Sequence, residues 1–578
     1  MEKKTPKLRS DLPVSVAWGD RCALMRGLGF SNEDLKKPHI GIINTYSSMN
    51  PGHVHLNRLA AAVTEGVREA GGLPLQFNAL NLCDGIVAPR SEYTLPSRDL
   101  LVNEVEVIVE ANLLDGMVLL GTCDKIIPGL LMAAARLDLP AIMVTGGYMG
   151  QGYADGKPIN YIDIGASVSE MLEGRRSMQS VMAVIDGACP APGACDMMGT
   201  ANTMALVSEA LGMSLPGNGS IAASSLPLDE MAREAGRRIM ELWRDGVTAR
   251  QVITRKSIKN AVKVCMAVGG STNSLVHIPA IADEAEIDLD VPDVFDQASF
   301  NIPLLVRVRP NGPHSICQME NAGGLRAVMN ELRDHLDLDC LTVNLHTTGE
   351  NIEGHAIRDT EVIRPIENSY QSQGGIAILR GNICPQGAAV KQSAVPESLM
   401  SFRGPARIFY HEQAACEALT SGAIRPGDAV VILFQGAKAG PGLASTANFT
   451  FQLAGSELSE SICMITDGRF SGASRGAAIG YVSPEAAMHG PIAAVRDGDI
   501  IAYDIQKRTL NAELSGEEIS RRLREPLHEI KYRKGYLGIY QRCVTSLLKG
   551  AIVRGDPTDE KREAFKVEPA GNNKVTGR

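Results

Sequence analysis

Between residues 38 and 150 two periodicities take turns, and this alternation limits what the chain can become more than any other feature. HIGIINTY, LPLQFNAL, DGMVLLGT and AIMVTGG are short and mostly apolar, whereas VHLNRLAAAVTEGVREAGG, DLLVNEVEVIVEA and PGLLMAAARL between them repeat their apolar positions at helical spacing. Strands alternating with helices imply βαβ units, because parallel neighbours need a crossover, and near-continuous apolar strands imply a sheet covered on both faces. Residues 1–370 therefore read as an α/β domain with a parallel sheet covered by helices. The helical patterns NTMALVSEALGM, LDEMAREAGRRIMELWRDG and SIKNAVKVCMAVGG are expected to pack around the same sheet.

After about residue 370 the texture changes. GGIAILRGN, ARIFYHE, DAVVILFQG, SICMITDG, GDIIAYDIQ and TLNAELS are short β-type runs divided by Gly and Pro, which predicts a β-rich, barrel-like or sandwich domain over 371–578. Two domains suit 578 residues, since single cores stop growing at roughly 250–300. The last stretch, KREAFKVEPAGNNKVTGR and a little before, is polar and predicts a loose tail.

A net charge of -9 and the lack of any Lys/Arg run argue against nucleic-acid or membrane-surface partners. No apolar run approaches the roughly 18 residues of a membrane span. MEKKTPKLRSDLPVS has charge but no apolar stretch behind it, so it does not read as a secretory signal. Small-molecule chemistry in the cytoplasm is the expectation, and in that reducing compartment the twelve cysteines should bind metal, react or pack rather than pair.

Ligands of open parallel sheets bind beyond the carboxyl ends of the strands. GTCDK, with Cys123, Asp124 and Lys125, falls at such an end, and NLCDGI, with Cys83 and Asp84, follows an earlier strand. APGACDMMGTANTM places Cys195 on a Gly-flanked turn that opens a helix. Packing is the default reading of a Cys at a strand end, and Cys189, Cys265 and Cys463 are read that way. The repetition of Cys-Asp argues for more, because thiolates select soft metals and iron-sulfur clusters while carboxylates select hard ions. Separations of 40 and 72 residues match no compact zinc or ferredoxin spacing, so the signal is positional.

PGHVHLNRLA, CDGI with YTLPSRDL, GTCDKIIPGLLMAAARL, GTANTMALVSEALGMSLPGNGS, AVGGSTNSLVHIPAIADEA, ITDGRFSGASRGAAIGYVSPEAA and DGDIIAYDI occur in order from about residue 38 to 553. Together they resemble the signature stretches of the dihydroxy-acid and sugar-acid dehydratase family. The resemblance implies a hydro-lyase that turns a 2,3-dihydroxy carboxylate into a 2-keto acid with an iron-sulfur cluster and Mg2+, working as a homodimer or dimer of dimers. It implies Cys83, Cys123 and Cys195 as cluster ligands, and Asp84, Asp124 and a carbamylated Lys125 as magnesium ligands. Ser471 in DGRFSG would be the base, acting as an alkoxide; without the resemblance it reads as a turn serine beside Gly472.

The chain also departs from the family pattern. Members with a two-iron cluster carry an Asn-Pro-Cys stretch, and here NPGHVHL puts Gly52 at that place, which favours [4Fe-4S] over [2Fe-2S]. The family's Gly-Pro-Gly-Met-x-Glu, whose Glu binds magnesium, becomes AGPGLASTANF with Ser445 at the acid's position. IVAPRSEY after Asp84 replaces Met-Gly-His-x-Gly-Met, so the substrate pocket should differ. Three readings stand: a dihydroxy-acid dehydratase of branched-chain amino-acid synthesis first, a sugar-acid (aldonate) dehydratase second, and a non-catalytic iron-sulfur protein third. Gly146, Gly147, Gly217 and Gly219 either let backbone approach the site or make ordinary turns. His53 and His55 receive no role.

Overall fold

The computed structural model describes residues 6–440, 442–472 and 474–554, and the expected polar tail lies outside the described residues. Strands β1 (His39–Asn44), β2 (Leu73–Asn78), β3 (Gly116–Gly121) and β4 (Ala141–Thr145) form one parallel sheet in the order β2-β1-β3-β4. β1, β3 and β4 are buried at every residue, as their apolar runs demand. The helix Leu56–Glu69 packs on the helix Leu226–Asp245, and Thr94–Ala111 packs on Ile126–Leu137. Right-handed crossovers that run outward in opposite directions put the helix after β1 and the helix after β3 on opposite faces. The chain leaves β1 for the outer strand β2 and then returns past it to β3. Strand order therefore reverses between β1 and β3, and the loops leaving these two strands diverge to open a crevice. A small hairpin of β5 (Gly152–Ala154) and β6 (Lys157–Ile159) follows the sheet.

The β-rich domain is a closed eight-stranded barrel, which resolves the choice between barrel and sandwich. β7 (Ala377–Gly381), β8 (Cys384–Val390), β9 (Ser401–Phe409), β10 (Ala429–Ile432), β11 (Cys463–Thr466), β12 (Ala478–Ser483), β13 (Ile500–Asp504) and β14 (Thr509–Ala512) close in the order β10-β11-β12-β8-β7-β14-β13-β9. β9 to β12 are successive parallel neighbours. Ala429, Val431, Cys463 and Ile465 fill the barrel with Leu379, Val390 and Ile501, while Val430, Ile432 and Met464 join the large core shared with the first domain. Both faces of β10 and β11 are thus buried, which explains why AVVI and CMIT are apolar throughout.

Contacts of residues 550–553 tie the two domains further. Arg98, fully buried, donates to the carbonyls of Gly550 at 2.8 Å and Ala551 at 2.9 Å, and pairs with Asp99 at 3.0 Å. Asp99 in turn accepts the Val553 N–H at 2.9 Å.

Two buried acids staple the carboxyl ends of β10, β11 and β12. Asp467 accepts the N–H groups of Phe434 (3.2 Å), Gln435 (2.9 Å) and Ala486 (2.9 Å), and Glu485 accepts those of Ala437 (2.8 Å) and Lys438 (3.0 Å). Burial, with the Asp467 charge beside it, pushes Glu485 up to about 8, and burial pushes Asp467 up to about 6. The folded chain keeps a proton on Glu485 that the unfolded chain releases above its ordinary value, so this contribution is full at acid pH and fades as pH rises toward 8. We expect the thermal midpoint to fall between about pH 5 and 8 and to level off above, by stability on the order of a few kcal/mol at about 1.4 kcal/mol per pKa unit. Glu485→Gln should flatten that slope in a melting series; an unchanged slope would show the acid is not its source.

Candidate active site

The β1 exit loop reaches across the crevice to the β3 exit loop. Asn50 Oδ1 accepts the Gly52 N–H at 3.0 Å and the Cys123 thiol at 3.3 Å. His53 is buried, and burial drives its ring down to about 3, so it is neutral. Its Nε2 accepts the Cys123 N–H at 3.1 Å, which leaves the proton on Nδ1, 2.7 Å from the Thr45 carbonyl. His53 thus has a place after all: it fixes the backbone of Cys123, and its signal was the PGHVH stretch itself. His55 holds the Gly146 carbonyl at 2.7 Å. Gly147 has φ +79°, and a Cβ there would meet the Ile221 carbonyl at 2.6 Å, so close backbone approach is what that glycine serves.

Cys123, Asp124 and Lys125 follow β3 and lead into the helix Ile126–Leu137. The Lys125 amine, 2% exposed, stands 3.0 Å from Asp84 Oδ2 and 3.6 Å from Asp124 Oδ2. Arg469 approaches Asp84 from the barrel side at 3.6 Å. Burial opposes charge on Asp84, yet Lys125 and Arg469 outweigh it and hold that carboxyl below its usual range. Asp124 goes the other way, because burial together with the neighbouring Asp84 charge exceeds the pull of the two cations. Cys83 and Cys123 share a thiol hydrogen bond. That bond, helped by backbone N–H groups, outweighs burial and brings Cys83 down to about 7, while the same bond and burial push Cys123 well up. Burial also pushes Cys195 well up.

The barrel closes the other side. Arg469 donates to the Leu443 carbonyl at 3.0 Å and to Thr94 Oγ1 at 2.6 Å, and its own carbonyl accepts the Thr446 N–H at 2.9 Å. These bonds strap Ser445 alongside the loop that carries Ser471. Between the domains lies a cavity of about 350 Å³. Cys83, Asp84, Cys123, Asp124 and Cys195 line it from the α/β side, and Ser445, Arg469 and Ser471 from the barrel side. Lys125 stands behind this wall, joined to it through Asp84.

One reading needs correction. Cys189, taken as packing, is exposed and lines the same cavity, because it caps the helix Met178–Ala188 where the chain turns toward the site. Cys265 and Cys463 are buried, as packing residues are. Arg469, Asn50, Tyr161 and Phe451 were missed; Arg469 sits inside DGRFSG and was open to notice, whereas nothing local marks the other three.

Donor chemistry supports occupancy by metal. Asp84 Oδ1 is buried without a hydrogen-bond partner, an orphaned anionic oxygen that a cation would satisfy. Among the described residues no three His, Cys, Asp or Glu side chains converge on a single ready-made ion position. The Lys125 amine now lies near both carboxylates, where a hard cation would draw them together.

A cavity at the switch point of a parallel sheet, walled by thiols and carboxylates on one side and barrel serines on the other, defines an enzyme whose site is shared by two domains. Residues 37–351 match the family model described as dihydroxy-acid/6-phosphogluconate dehydratase N-terminal, and residues 361–551 match its C-terminal counterpart. Proteins named dihydroxy-acid dehydratase are similar along nearly the whole length. That of Caldicellulosiruptor saccharolyticus is 44% identical over 537 residues, 92% of this chain and 97% of the relative. That of Caldanaerobacter subterraneus subsp. tengcongensis is 44% identical over 555 residues, 95% of this chain and 99% of the relative. That of Methanothermobacter thermautotrophicus is 44% identical over 536 residues, 92% and 97% respectively. The chain belongs to the dihydroxy-acid/6-phosphogluconate dehydratase family and is a hydro-lyase, which sets aside the reading as a non-catalytic iron-sulfur protein.

Proposed function

We propose that this enzyme dehydrates a short branched 2,3-dihydroxy carboxylate to the 2-keto acid in branched-chain amino-acid synthesis. The observation that carries this reading is one cavity that gathers Cys83, Cys123, Cys195, two carboxylates and Ser471 and also presents an apolar stretch of wall from Ile86, Met149, Met197 and Phe451. An aliphatic substituent gains contacts with this apolar stretch, whereas aldonate hydroxyls placed against it would lose water without gaining partners.

Cys83, Cys123 and Cys195 would hold an iron-sulfur cluster, [4Fe-4S] rather than [2Fe-2S] because Gly52 brings no thiol. Asp84, Asp124 and a carbamylated Lys125 would hold Mg2+; carbamylation turns a cation into an oxygen ligand. When bound, these groups supply Lewis acidity to the hydroxyl and carboxylate oxygens of the substrate. Ser471 takes the proton from C2, and the apolar wall keeps bulk water from competing for it. Loss of that proton and of the C3 hydroxyl amounts to one water, and the enol left behind tautomerises to the keto acid. We further infer a division near residue 370, a cytoplasmic location, and a homodimer or dimer of dimers, on the strength of composition and family resemblance.

Anaerobic purification, Mössbauer spectroscopy and turnover of dihydroxyisovalerate beside a panel of aldonates test the reading on one sample. Turnover of aldonates alone would move the substrate to the sugar acids, and iron-replete protein without cluster would overturn the site. Ser445 replaces an acid, so Ser445→Glu is expected to tighten Mn2+ binding, read by electron paramagnetic resonance, by roughly tenfold or about 1.4 kcal/mol. Unchanged affinity would take residue 445 out of reach of the metal.

A further inference from the structure

Lys391 follows β8 and is 2% exposed. Its ammonium donates to the carbonyls of Gly472 at 2.8 Å and Met198 at 3.3 Å. Among the described residues no carboxylate pairs with it, and burial drives its amine down to about 7. Keeping even part of the charge on so deeply buried an amine without a counter-ion is costly, so its retention asks for a use. Its two acceptors supply one. Gly472 directly follows Ser471, and Met198 lies three residues beyond Cys195. The lysine therefore stitches the barrel loop that carries the serine to the α/β loop that carries a thiol of the same cavity. The space around this stitch is tight. A Cβ on Gly472 would come within 2.3 Å of Ser271 Oγ, and Ser271 Oγ lies 2.9 Å from Thr200 Oγ1 on the same α/β loop.

We propose that Lys391 is the positioning residue of Ser471: its ammonium holds the Ser471–Gly472 segment against the Met198–Thr200 segment, and its positive charge favours the deprotonated serine. The proposal rests on the reading of Ser471 as the base. Cys265, the titratable neighbour that acts on Lys391, is itself pushed up by burial and stays a neutral thiol, so it does not offset the lysine's charge.

Lys391→Met, made in the full-length iron-loaded enzyme, tests it. Methionine keeps the length and removes the charge, so iron content and thermal midpoint should hold. The turnover number should fall about 10²-fold, the scale of a misplaced reacting group, with KM changed less than threefold. A turnover number within threefold of the parent, or a parallel loss of iron, overturns the proposal. Lys391→Ala gives a second readout, because the space it leaves should admit ethylammonium and regain activity saturably. No rescue, or equal rescue by propanol, overturns the part played by the charge. Ser471→Ala separates the two readings. If it stays active, the serine reading fails on its own; if it is inactive while Lys391→Met is fully active, only the lysine proposal fails. In a Ser471→Ala background Lys391→Met should cost nothing more, and a further loss would show that the lysine acts elsewhere.

Discussion

Changing Ser471 to alanine is expected to lower the turnover number about 10³-fold while leaving iron content and melting temperature as they are. Positioned general bases contribute roughly 10²- to 10⁴-fold, and this side chain is a barrel hydroxyl that lines the same cavity as Asp84 and Asp124 from the opposite side. The loop around it should survive the change. Asp467 anchors its start through three N–H bonds, and Arg469 fastens its middle to Leu443 and Thr94. Steady-state rates with C2-deuterated substrate would check the assignment, since the parent should show a primary isotope effect. An alanine variant within tenfold of the parent would remove Ser471 from proton transfer.

Gly52→Ala should cost most of the bound iron and with it most of the activity. A Cβ at residue 52 would stand 2.6 Å from Cys123 Sγ and 3.3 Å from Asn50 Oδ1, both too close for ordinary contact. Rotation of the Cys123 thiol relieves the clash cheaply, and for that reason the loss falls on function and not on the fold. The turned thiol leaves Cys83 and gives up the Asn50 bond. We expect iron per chain to drop by roughly fivefold or more, a metal-affinity loss within the 10- to 100-fold scale seen when ligand orientation is disturbed. The melting temperature should shift by no more than a few degrees. Iron analysis after anaerobic reconstitution checks this, and full loading would show that the cluster tolerates a displaced Cys123.

The sheet was legible because β1, β3 and β4 are buried at every residue and must be written in apolar letters, while their helices carry one apolar stripe each. β8 and β12 were not. CPQGAAV contains Pro, Gly and small residues, and its pairing with β7 and β12 passes through register shifts, so no clean alternation marks it. The parallel pairing of β9 to β12 was equally hidden, because intervening helices such as Ala447–Gly455 are short and follow irregular loops. Cys83, Cys123 and Cys195 stood out through their place at strand ends and turns. Cys189 did not, since only the path of the chain after its helix brings it to the cavity. Arg469 and Lys391 illustrate a further limit: a basic residue between glycines or after a strand reads as surface, and only the closed interface between barrel and sheet buries it.

Arg98 finds two of its carbonyl acceptors at residues 550 and 551. The first half of the polypeptide therefore buries that guanidinium with all of its bonds made only once residue 551 has been synthesised. A product terminated just before residue 550, or clipped there by a protease, would still contain every thiol, acid and serine described above. It would also leave the Arg98 guanidinium, still paired with Asp99, two carbonyl acceptors short. Truncated forms are then expected to melt lower than the full sequence although every site residue is present, so completeness of the site and stability of the fold are set by different parts of the chain.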